Sequence, residues 1–181
     1  MDFASGSLDK VRSISQRNLA ILWNKARGKR QFPRFSEFAP TSRQHDPQQL
    51  IIWQVVRAEG AYSFEALFQG RFVEQAVQKS WAGKSLEVIA PSSLRAWSKD
   101  CLIECATSGC ILYSRLTTSD ERNDRVECER LLLPFGKTEV TQIVSSLQLV
   151  STQSQVNRRN AADRLTKAST VSLAIKLEWV Q

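Results

Sequence analysis

The sequence predicts an α+β fold: a five-stranded antiparallel sheet with helices inserted between strands 2 and 3, plus an N-terminal helix and a C-terminal extension. Three observations predict it. Three extended runs, Cys110–Thr118, Arg125–Leu133 and Glu139–Val150, are separated by turn-forming stretches at 119–124 and Pro134–Thr138. Two further runs, Leu50–Ala58 and Tyr62–Gln69, flank the dipeptide Glu59-Gly60, which suits a hairpin turn. Between the two groups lies a helix-compatible region punctuated by Gly83 and Pro91.

In chain order, residues 1–15 lack a strong apolar period, and the segment 1–18 is expected to be mobile. Asn18 is expected to cap a helix to about Arg27, with Leu19, Leu22, Trp23 and Ala26 at helical spacing and Gly28 at its end. The following loop carries Phe32, Phe35 and Phe38, so it should pack across the domain rather than hang free. Tyr62, Phe64, Ala66 and Phe68 alternate with Ser63, Glu65, Leu67 and Gln69, which predicts one aromatic inner stripe. Short helical pieces should fill Gly70–Ala90. Ser92 then starts a helix through Leu94, Trp97, Cys101 and Cys105, closed by Gly109.

The last three strands are apolar on both faces, as Ile111 and Tyr113 against Leu112 and Leu116 illustrate. This suits a sheet covered on both sides. Glu127 and Glu129 alternate with Cys128 and Arg130, a pattern expected of an exposed face or of cross-strand ion pairs. The main domain is therefore assigned to residues 19–150. In the extension, 151–181, Ser151–Gln155 reads as a polar linker and Asn157–Lys167 as helix-compatible. Val171, Leu173, Ile175, Leu177 and Trp179 then alternate with smaller or polar residues, a strand pattern that needs a partner. Its own sheet, a second copy or another protein would each serve.

The 181 residues carry a formal charge of +7. Lys10, Arg12, Arg17, Lys25, Arg27, Lys29, Arg30 and Arg34 face only Asp2 and Asp9 in the first 34 residues. Such a segment suits a solvated helix face, or nucleic acid as the alternative partner. No helix-turn-helix, zinc-finger or RNA-binding aromatic motif accompanies it. Nothing approaches the ~18–20 apolar residues of a membrane span, and Asp9, Lys10 and Arg12 interrupt any leader-like core, so a cytoplasmic location is expected. The four cysteines, Cys101, Cys105, Cys110 and Cys128, form no CxxC pair and have one histidine, His45, to help them. They are expected to fill the core rather than bind metal. No Gly-rich phosphate loop or triad pattern is present, so no catalytic residue is expected.

Seven short motifs sharpen the reading: Leu22-Trp23, Arg27-Gly28, Pro33-Arg34, Asp46-Pro47, Gly70-Arg71, Gly83-Lys84-Ser85-Leu86 and Leu132-Leu133-Pro134. In this order they resemble the PAS-like family found as small proteins in alphaproteobacteria, over residues 19–150. The resemblance implies a stand-alone sensory or adaptor module, acting through a small-molecule ligand, a protein partner or a homodimer. Phe64, Phe68, Leu94, Trp97 and Tyr113 are the expected pocket lining. No cofactor is assigned: the Asn-Cys-Arg-Phe motif of flavin-binding members is missing, and His45 lies in a loop before the first strand rather than in the helical region.

Overall fold

The computed structural model describes residues 3–38, 46–77, 79–89, 92–119, 125–151 and 169–178. The segments are β1 (Ala4–Gly6), α1 (Ile14–Arg27), β2 (Leu50–Ala58), β3 (Ala61–Gln69), α2 (Arg71–Val77), α3 (Leu86–Ile89) and α4 (Ser92–Ser108). They are followed by β4 (Leu112–Ser119), β5 (Arg125–Gly136), β6 (Val140–Ser151) and β7 (Ser169–Leu177). The architecture is α+β, a mixed seven-stranded sheet in the order β1-β7-β4-β5-β6-β2-β3. The sheet has two more strands than expected. The alternating C-terminal run pairs antiparallel with β4 of its own chain, and the short β1 joins it in parallel. Pairing with β7 is what makes Ala4–Gly6 a strand, since three small or polar residues carry no strand pattern of their own.

The first 18 residues also depart from expectation. Val11 is fully buried, and α1 starts at Ile14, where the Ser13 hydroxyl accepts the Gln16 backbone N–H. The helix starts earlier than expected because the buried residue of its first turn, Gln16, is polar and hides the apolar period. Its end at Gly28 is as read, with φ 57. The two central residues of the β2–β3 hairpin, Glu59 and Gly60, both have positive φ (51 and 82), the geometry of a tight two-residue turn.

Two strands differ from expectation. β5 runs through Pro134 to Gly136 instead of ending at Leu133. The β4 partner strand begins only at Leu112, opposite Leu132, so the missing N–H of Pro134 breaks no ladder bond on that side. The aromatic stripe of β3 is also broken. Ala66 pairs with Trp53 but Phe68 with Ile52, leaving Leu67 as an extra residue in a bulge. The bulge reverses the alternation, and Phe68 is 41% exposed.

The sheet is covered on both faces. On one side α1 packs over β5 and β6, with Trp23 Nε1 donating to the Pro134 carbonyl at 2.7 Å. The aromatic loop packs here as expected, Phe35 and Phe38 lying 5.5 and 4.9 Å from Phe135 between ring centroids. On the other side lies α4, which buries Cys101, Leu102, Cys105 and Ala106 as one stripe. Ser119 ends β4 and Ser151 ends β6, while the rest of the expected turn at 119–124 and of the linker Ser151–Gln155, the expected helix Asn157–Lys167, His45 and Trp179 lie outside the described residues.

Candidate functional site

A pocket of about 100 Å³ lies between the helical insert and the sheet. Its walls come from Ile51 and Trp53 of β2, Trp81, Trp97 and Leu102 of the insert, Leu116, and Ser145 and Leu147. Cys128 and Arg130 of β5 also line it, with Val77, Leu86 and Ser98. Strand alternation explains the set. Cys128, Arg130 and Leu132 share the face under α4, while Glu127, Glu129 and Leu131 face α1.

Arg130 is the unusual member. It is 7% exposed, and its guanidinium carbon sits 4.0 Å from the Trp97 ring centroid. Nη1 reaches Ser98 Oγ at 3.4 Å and the guanidinium also bears on the Cys101 thiol, a weak acceptor, whereas Nε and Nη2 have no oxygen or nitrogen partner among the described residues. The buried Nε1 of Trp97 also lacks one. No ion pair of the described residues includes Arg130. The nearby thiols do not supply a negative charge. Burial pushes Cys128 up to about 11 and raises Cys101, in each case against the pull of Arg130, so both stay protonated at neutral pH. The hydroxyl that lines the pocket on β6, Ser145 Oγ, is taken by Trp53 Nε1 at 2.8 Å. The pocket therefore has a cation and spare donors in an apolar surround.

The opposite face carries a polar cluster beneath α1. Gln16 Nε2 donates to the Ser146 carbonyl at 3.0 Å and to the Glu129 carbonyl at 3.3 Å. Glu129 is 1% exposed, and its carboxylate lies beside the Tyr113 phenol without a hydrogen bond of normal geometry among the described residues. Burial first, and the Glu129 charge second, push the Tyr113 phenol up to about 12. Glu127, the other acid of this alternation, binds Arg12 at 2.7 Å. Of the two patterns expected of these residues, an exposed face or cross-strand ion pairs, the exposed face is overturned, because α1 lies across it.

Of the residues expected to line a pocket, Trp97 is in the wall of this one. Phe64 is buried on the same side of the sheet, further out on β3 and not in the wall. Phe68 is turned away by the bulge, and Tyr113 lies on the α1 face, because its strand position is opposite in parity to Leu116. Leu94 is on the first turn of α4, and its side chain is outside the described set. Arg130 was missed, although its place between Cys128 and Leu132 on one strand face was a signal. A second, larger cavity of about 340 Å³, lined by Arg57, Tyr62, Thr107 and Glu139 among others, lies elsewhere. Arg57 and Glu139 are exposed there, so water satisfies them. Among the described residues no cluster of potential ligands suits a metal ion, and no helix is long and apolar enough to cross a membrane. No protein-family model matches the chain, and no curated protein or solved structure is significantly similar to it.

Proposed function

We propose that this chain is a PAS-type sensory module that binds a small molecule between its helical insert and its sheet. Within the seven strands, β2 to β6 form five antiparallel strands with the helices inserted after the second, the arrangement the sequence resemblance implies. The observation that carries the reading is the pocket itself, at the junction of insert and sheet, with buried polar atoms left unpartnered in its wall. Its signal would leave through β5. Arg130 faces the pocket, and the carbonyl of the preceding residue, Glu129, is bonded to Gln16 of α1. A shift of this strand therefore reaches α1, whose outer side presents Ile14 and Ile21, 71% and 49% exposed and two turns apart, as a contact for a protein partner or a second copy.

Native mass spectrometry of the gently purified protein tests the proposal. A stoichiometric small extra mass, lost in a pocket-filling Cys128→Leu variant, is the expected result. A clean protein mass, with unchanged stability across a small-molecule panel, would reject it. The nucleic-acid alternative has less support, since Arg12 and Arg30 of the basic segment are engaged by Glu127 and Glu37. Salt-independent or absent nucleic-acid binding would dispose of it.

A further inference from the structure

We infer that the ligand of this pocket is a small monocarboxylate with a short apolar tail, held by Arg130; the inference rests on the pocket being a ligand site. Nε and Nη2 lie on one edge of the guanidinium, and both are unpartnered. That edge is one of the two that pair with a carboxylate through two parallel hydrogen bonds, and it is the one left free when Nη1 is held by Ser98. The charge balance points the same way. A buried guanidinium without a counter-ion is costly, and neither neighbouring thiol ionises at neutral pH to offset it.

The unmet atoms are all donors. Arg130 Nε and Nη2 and Trp97 Nε1 lack partners, while Ser98 Oγ and Ser145 Oγ already accept hydrogen bonds from Arg130 and Trp53. A ligand must therefore bring acceptors and one negative charge, which a neutral amide or alcohol does not do. The volume limits its size. At about 100 Å³ the pocket is smaller than the ~150 Å³ apolar cavity that holds benzene. The remaining wall, Ile51, Leu102, Leu116 and Leu147, favours a short hydrocarbon tail over a strongly hydrated phosphate.

The test is calorimetric titration of the full chain with acetate, propionate and butyrate, against acetamide, propionamide and butyramide, each at matched ionic strength. At least one carboxylate should bind, its amide should bind far more weakly, and Arg130→Met should lower carboxylate affinity by about 30-fold or more. Arg130→Lys should recover only part of this, because an ammonium lacks the planar fork. If Arg130→Met fails to fold, Cys128→Leu supplies the comparison, since it fills the pocket and leaves the cation in place. Amides binding as tightly as carboxylates would overturn the anion assignment while leaving a ligand pocket. Binding of neither series would also overturn it, and the mass measurement would then decide the sensory reading separately. Carboxylate binding unaffected in both variants would place the anion elsewhere and overturn it too.

Discussion

Glu129 and Arg130 are consecutive residues of β5, buried on opposite faces of the sheet at 1% and 7% exposure. Strand geometry sends their side chains apart, so one acid is enclosed beneath α1 and one base beneath α4. Each sits among atoms lacking hydrogen-bond partners. Buried charges of this kind carry a desolvation cost, and such groups cluster at functional sites.

Replacing Arg130 with methionine should therefore strengthen the empty protein. The change removes a buried charge and retains an unbranched chain against Trp97. Urea unfolding should show a gain of about 1–4 kcal/mol, the range for buried ionic groups exchanged for apolar ones. A loss instead would mean that the guanidinium is a structural strut.

Trp23→Phe should act in the other direction. The indole N–H is bonded to the Pro134 carbonyl at 2.7 Å in a buried setting. Its removal strands that oxygen, and the unfolding free energy should fall by about 1–3 kcal/mol.

Alkaline titration should expose Tyr113. Its pKa is raised from 10.0 to about 12, so the native state resists ionisation that the unfolded chain undergoes readily. The stability it contributes is complete below pH 10 and is lost as pH rises towards 12. Cys128, raised from 9.0 to about 11, adds an earlier loss between those values. Unfolding curves collected from pH 9 to 12 should show a shallower decline for Tyr113→Phe than for the parent. Parallel declines would deny Tyr113 a part in it.

Glu59→Gly should stabilise the β2–β3 hairpin. Glu59 has φ 51, a left-handed conformation that costs an L-residue about 1–2 kcal/mol. Because glycine also loses more entropy on folding, the net gain in the unfolding free energy should be about 0.5–1 kcal/mol. No gain would show that the Glu59 side chain contributes as much as its backbone costs.

Local chemistry wrote much of this fold into the sequence. β2 follows its β-branched and aromatic run, Gly28 and Gly109 end helices at positive φ, and Glu59-Gly60 makes the turn. What escaped depends on neighbours distant in sequence. Ala4–Gly6 is a strand because β7 lies beside it, Pro134 is tolerated because β4 stops short of it, and Phe68 is reversed by one extra residue. Most of the pocket's lining escaped for the same reason. Alternating acid and base on β5 resembles a solvated edge until α1 and α4 are laid across its two faces, and only then is Arg130 enclosed with its fork edge unmet.

The parallel pairing of β1 with β7, Ala4 opposite Ile175 and Gly6 opposite Leu177, has a kinetic side. Ala4–Gly6 leaves the ribosome long before the residues it will lie against. From the synthesis of β4 until β7 emerges, one edge of β4 has no neighbour, so the nascent chain presents unsatisfied backbone amides over that interval. Contacts between distant chain segments form late, and with β7 made last this sheet edge should be the last part of the molecule to assemble.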